Sequence, residues 1–112
     1  MNLVKGDPVL EMTYRPEESM KALISLGVQG HFPLFLDIWL NDPVIKEKRF
    51  SKITGQERAK AKKLFSRVSK HKSLEHKKVV VLSMNDEERT LFIKAFFKIV
   101  EGKILDQKPE LH

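Results

Sequence analysis

The sequence predicts a mainly α-helical fold, a small single-domain bundle of four to five helices around a central helix at residues 86–101. The length of 112 residues, with 41% hydrophobic and 32% charged side chains, suits one domain with one core. Helix-capping patterns recur, and apolar residues recur at helical spacing. Since no repeat or linker divides the chain, residues 1–112 are interpreted as a single domain whose tail, 106–112, is expected to fray.

The first predicted elements are a strand and a helix. Residues 9–14 alternate apolar and polar side chains, which is the period of a half-buried strand. Pro16 and the two glutamates after it fit a first helical turn, because proline has a helical φ and acids favour the positive end of the helix dipole. This helix is expected to reach about Leu26 and to end at Gly27 or Gly30.

Two short helices are predicted next. A helix over residues 33–41 is apolar all round except for Asp37, so we expect it either to be buried centrally or to cover a partner. Asp42 then fits the N-cap of a further helix, with Pro43 as its first residue and its end near Phe50.

A long basic helix is predicted over residues 55–72. Thr54 and Glu57 have the spacing of a capping box at its start. Its apolar residues cover only about 120° of the circumference, so the helix is expected to lie on the surface. It carries two like-charged pairs four residues apart, Arg58/Lys62 and Lys63/Arg67. Each such pair costs about 0.2–0.5 kcal/mol, which indicates that the charges do not serve helix stability.

Residues 77–84 fit either a strand or a helix. Three consecutive valines favour a buried strand, although so short an apolar run does not exclude a helix. We favour the strand, with 78–83 pairing with 9–14 in a short two-stranded β element.

The central helix is predicted from its caps and its broad apolar face. Asn85 and Glu88 fit a capping box, and Gly102 fits the C-terminal end. Apolar residues cover about 240° of the circumference. The remaining polar strip is expected to face water and consists of Glu87, Thr90, Lys94, Lys98 and Glu101.

The charge distribution predicts an anionic partner. The net charge is +6, yet residues 46–78 alone hold thirteen basic and three acidic side chains. A basic helix face of this kind supplies a sequence-independent footprint for DNA or RNA phosphates, with little base reading because lysines dominate it. The predicted contacts are Arg58, Lys60, Lys62, Lys63, Arg67 and Lys70. The competing interpretations are a solvated face neutralised by the protein's own acids, an acidic protein partner and an anionic membrane surface.

The alternative function is that of a protein-interaction adaptor, which would bind a partner through the apolar segment at 32–40 or through the basic face. Large apolar side chains dominate interface energetics, and the segment at 32–40 concentrates them. The residues concerned are Phe35, Leu36, Trp39 and Leu40. The competing interpretation, which we prefer, packs this segment into the core beside 86–101. A homodimer is one version of the interface, and the oligomeric state stays open.

Other function classes lack support in the sequence. There is no cysteine, and His71 and His76 would lie about 140° apart on a helix without further ligands, so no metal is expected. No nucleophile-elbow, Walker or dinucleotide-binding motif occurs, so we expect neither an enzyme nor a cofactor. The N-terminus lacks an apolar signal region, and the apolar run at 32–40 is too short to span a bilayer. A cytoplasmic protein is therefore expected.

Overall fold

A computed structural model describes residues 16–106 of the chain. Over this range the fold is a bundle of six α-helices, which confirms the mainly helical prediction but exceeds the four to five helices expected. A single 3₁₀ turn at Pro16–Glu18 precedes them. The helices are α1 (Met20–Val28), α2 (Asp37–Leu40), α3 (Pro43–Arg49), α4 (Gly55–Ser69), α5 (Leu74–Ser83) and α6 (Asp86–Asp106).

The C-terminal helix α6 is the centre of the bundle. Helices α1, α3 and α4 all pack against it, and α5 packs against α4. The side chains of Phe92, Ile93 and Phe96 on α6 are almost wholly buried. None of the helices in residues 16–106 is both long enough and apolar enough to cross a membrane.

Phenylalanine rings connect α6 to the segments around it. Phe35 meets Phe96 edge to face, with ring centroids 5.1 Å apart. Phe65 of α4 lies 4.7 Å from Phe92, and Phe32 lies 4.7 Å from Phe97. Aromatic pairs of this kind contribute about 0.5–1.5 kcal/mol beyond their buried area. The core is therefore an aromatic cluster through which α4 and the 32–35 segment pack against α6.

The strand favoured at 77–84 is wrong, because 74–83 is the helix α5. Ser73 caps this helix by accepting the His76 N–H, and the buried positions Lys77 and Val81 are one helical turn apart. The preference of valine for strands is weak, and packing against neighbouring elements overrides it. The proposed pairing with 9–14 therefore loses one of its two strands, and 9–14 itself lies outside the described residues.

Several helix ends differ from those predicted. The helix expected over 33–41 is a single turn, α2, because the chain before it makes a tight turn in which the Phe35 N–H bonds the Phe32 carbonyl. The basic helix stops at Ser69 rather than 72. The first helix continues through Gly27 to Val28, and Gly30 adopts a positive φ of 91° just after it.

Gly27 and Gly102 have opposite surroundings. At position 27 a Cβ would lie 2.9 Å from Val100 Cγ2 and 3.0 Å from Phe32 Cε1, so α1 approaches α6 more closely than any side chain allows. Gly102 was expected to end the central helix, but α6 continues through it for another turn. A Cβ there would meet open space. Helices tolerate such a glycine at a cost of about 1 kcal/mol.

We predict that the two alanine substitutions change stability in opposite directions. Gly27→Ala should lower the free energy of unfolding by about 1–3 kcal/mol, since both α6 and the Phe32 ring must move. Gly102→Ala should raise it by about 0.5–1 kcal/mol, because alanine restricts the unfolded chain and meets no obstacle. Urea unfolding of both variants measures the difference, and equal effects would contradict the close packing of α1 on α6.

Candidate functional site

The basic helix α4 begins at the capping box that the sequence predicts. Glu57 N–H donates to Thr54 Oγ1 at 3.1 Å, and Thr54 N–H donates to Glu57 Oε1 at 2.9 Å. Two of the otherwise unpaired N–H groups at the helix start are thereby satisfied. The box fixes where the basic face begins.

A buried lysine of α6 holds this end of α4 in place. Lys94 was expected on the wet strip of the central helix, but only 5% of its surface is exposed. Its Nζ donates to the Lys52 carbonyl at 2.9 Å and to Glu57 Oε1 at 3.1 Å. A buried ammonium is tolerated when it is paired and hydrogen-bonded in this way. The Thr54 N–H bond, and after it Lys94, lower the pKa of Glu57.

A second buried lysine lies at the opposite end of α4. Lys77 of α5 is 1% exposed, and its Nζ donates to the His71 carbonyl just beyond the end of α4. Burial lowers the pKa of Lys77, and the charge of the nearby Glu18 opposes that shift. The Glu18 carboxylate also accepts the Leu74 N–H at 2.6 Å. The turn between α4 and α5 is therefore attached to the start of the described chain.

All six predicted basic residues of α4 and its C-cap are exposed. At 100° per residue they fill a continuous arc of about 200° opposite the buried side of the helix. Lys60, Lys63, Arg67 and Lys70 follow one another at spacings of three, four and three, which places them in one row. Arg58 and Lys62 form a second row on the other edge.

Carboxylates neutralise little of this arc. Arg67 pairs with Glu88 at 3.4 Å, and both side chains are more than a third exposed, so the pair is weak. Within residues 16–106 the other five cations have no ion pair. Neutralisation of the basic face by the protein's own acids, one interpretation of the sequence, therefore involves a single cation in the described part of the chain.

An open groove of about 810 Å³ runs beside the first row. Lys60, Lys63 and Arg67 line it on the α4 side, and Leu64 and Leu91 lie between the two helices. The opposite side is the first turn of α6 with its three acids, Asp86, Glu87 and Glu88. An anion that enters the groove therefore meets carboxylates as well as cations.

The apolar segment predicted as a partner surface is divided between core and surface. Phe35 is 5% exposed and belongs to the aromatic core, so it is not available to a partner. Trp39 and Leu40 are half-buried, and the Arg89 guanidinium covers the Trp39 ring at 4.8 Å. Leu36 is 38% exposed. Ile38, which the sequence reasoning missed, is 73% exposed.

Neither histidine pairing nor acidic clustering creates a metal site in the described range. The His71 and His76 rings lie 6.1 Å apart, but residues 16–106 contain no group of three His, Cys, Asp or Glu side chains arranged to hold a metal ion. The chemistry that these residues offer is electrostatic, from the cations of α4.

Comparisons with known proteins add no assignment. No protein-family model, no curated protein and no solved structure matches this chain.

We predict that Lys94→Met destabilises the protein by about 1–3 kcal/mol. Methionine keeps the length of the side chain, but it leaves the Lys52 carbonyl without its buried donor. The matched control is Lys98→Met, one turn along α6, where the described residues provide no hydrogen bond or ion pair and a change within about 0.5 kcal/mol is expected. Urea unfolding compares the two variants. Equal stability of the Lys94 and Lys98 variants would refute the stabilising role of the buried Lys94 ammonium.

The lowered pKa of Glu57 predicts a loss of stability in acid. Its pKa in the folded protein lies below the usual 4.5, so the folded state binds fewer protons than the unfolded state as the pH falls. The contribution is complete above about pH 4.5 and disappears as pH falls through the lowered pKa.

Glu57→Gln should therefore make the free energy of unfolding less dependent on pH below about 4.5. Lys94→Met should remove only part of that dependence, because the Thr54 N–H bond is the larger cause of the shift. Urea unfolding at a series of pH values tests both, and a Glu57→Gln profile that parallels the parent protein below pH 4.5 would contradict the assignment.

Proposed function

We propose that this protein is a non-enzymatic nucleic-acid-binding or regulatory protein, and that α4 contacts phosphates of DNA or RNA with low sequence specificity. The observation that supports this proposal is the exposed arc of six cations, five of which have no carboxylate partner in the described range. Aligned lysines and arginines on one face give the sequence-independent part of nucleic-acid affinity.

The phosphates are best placed on the part of the arc that points away from the groove. Arg58, Lys62 and Lys70 span this outer side, whereas Lys60, Lys63 and Arg67 line the groove that faces the acidic first turn of α6. A polyanion on the outer side avoids that turn. Three phosphate contacts correspond to a slope of log K against log salt of about −2.7 on duplex DNA and about −2.1 on a single strand.

Low selectivity follows from the side-chain types. Base edges are read mainly by arginine, asparagine and glutamine, which form paired hydrogen bonds to particular bases. Two of the three outer cations are lysines, which act as mobile point charges without a fixed hydrogen-bonding plane. Binding is therefore expected to depend on charge spacing more than on sequence.

A protein-interaction adaptor is the second candidate function. The observation that favours it is the exposure of Leu36 and Ile38 beside the half-buried Trp39, since exposed apolar side chains around an aromatic anchor are typical of interfaces. Because Phe35 is buried in the core, the surface available to a partner differs from the predicted one. It lacks Phe35 and includes Ile38.

We predict that Arg58→Gln/Lys62→Gln/Lys70→Gln weakens binding and flattens its salt dependence. Loss of all three outer phosphate contacts should reduce the salt slope by about 2.7 on duplex DNA. Fluorescence anisotropy of labelled duplex and single-stranded DNA and RNA of several sequences, each at several salt concentrations, measures the affinity and the slope.

The matched control removes the same number of charges elsewhere. Lys21→Gln/Lys98→Gln/Lys103→Gln changes α1 and α6 and leaves α4 intact, so it should retain most of the affinity and nearly all of the slope. If the control loses as much as the α4 variant, net charge and not α4 is responsible. If the parent protein binds no oligonucleotide at low salt, the proposal is refuted and the adaptor becomes the better candidate.

A further inference from the structure

The groove beside α4 carries both signs of charge on facing sides. Lys60 and Lys63 line one side and have no ion pair in the described range, while Asp86 and Glu87 project from the other and are exposed. Asp86 does pair with Arg89 of its own helix, but its side chain is fully exposed, so that contact leaves it accessible. At the α3 end of the groove, Val44 is 55% exposed.

A ligand of a single sign does not suit this arrangement. A nucleic-acid backbone seated in the groove would meet Asp86 and Glu87 at close range, and a polycation would meet Lys60 and Lys63. Like-charge contacts of this kind select against such partners. The groove suits a partner that places acids opposite Lys60 and Lys63 and cations opposite Asp86 and Glu87.

We propose that the groove is the interface of a two-fold symmetric homodimer. In a two-fold interface the same patch of both copies meets, so that a contact between two residues occurs twice with the roles exchanged. Lys60 and Lys63 would then face Asp86 and Glu87 of the partner subunit, and the reverse contact would occur across the axis. Val44 and Leu91 would also be covered, which removes apolar surface from water.

This inference is independent of the proposed nucleic-acid binding. Arg58, Lys62 and Lys70 lie on the outer side of α4 and stay accessible when the groove is covered. A dimer would place two such outer faces on one particle. Loss of dimerisation and loss of oligonucleotide binding can therefore be separated by variants on opposite edges of one helix.

The test is sedimentation equilibrium of the full chain at several salt concentrations. The parent protein should dimerise at low salt and dissociate as salt screens the exposed pairs. Lys60→Glu/Lys63→Glu should weaken dimerisation at least roughly tenfold, since it places acids against acids in both halves of the interface. Asp86→Lys/Glu87→Lys should do the same with the opposite charges. A 1:1 mixture of the two variants should form a heterodimer.

Controls separate the groove from net charge and from misfolding. Arg58→Glu/Lys62→Glu makes the same charge change on the outer edge, so it should still dimerise like the parent and should not form a heterodimer with Asp86→Lys/Glu87→Lys. Because lysines at the start of α6 oppose its dipole, the milder Asp86→Asn/Glu87→Gln provides a second variant, which should also weaken dimerisation. A monomeric parent protein at low salt, or equal effects of the two α4 variants, would overturn the proposal.

Discussion

The position of the start of α4 depends on a buried ammonium group. Lys94 extends from the central helix and binds both the carboxylate of Glu57 and the carbonyl of Lys52, so one side chain fixes the start of α4 and the loop before it. This contact matters because α4 is polar over most of its circumference and packs on the core only through a narrow apolar stripe, Ala61, Leu64, Phe65 and Val68. A specific polar contact at the start of such a helix fixes its position relative to α6, which hydrophobic packing alone defines poorly.

Among the described residues, two buried lysines have a different role from the exposed cations of α4. Lys94 and Lys77 lie inside and bind carbonyl groups near opposite ends of α4. Arg49 also has an internal role, because its guanidinium covers the Phe97 ring at 4.2 Å. The cations on the outer side of α4 perform no such task within the described range. Their like-charged spacing opposes helix stability slightly, so the fold itself does not account for them.

Sequence patterns among neighbouring residues predict this fold well. Features that depend on contacts between residues far apart in the sequence were not predicted. The boxes at Thr54 and Asn85 involve residues three apart, and the structure forms both. The strand favoured at 77–84 failed because packing against neighbouring elements decides the conformation of that stretch, and the end favoured at Gly102 failed because α6 continues to Asp106. Lys94 shows the same limit, since its helical position indicated water and only its contacts with residues about forty positions earlier explain its burial.

The site illustrates why counting charges along a sequence is insufficient. Lys60 and Glu87 are far apart in the sequence, yet the antiparallel arrangement in which Arg67 meets Glu88 and Glu57 meets Lys94 puts them on facing sides of one groove. The six cations that looked like one anionic-ligand surface therefore separate into a side with opposing acids and a side without them. Since a carboxylate near a cation offsets its charge and repels an anionic ligand, the position of the acids decides where a polyanion can approach. The outer edge of α4, with Arg58, Lys62 and Lys70, is the part of its arc that lies outside the groove containing those acids.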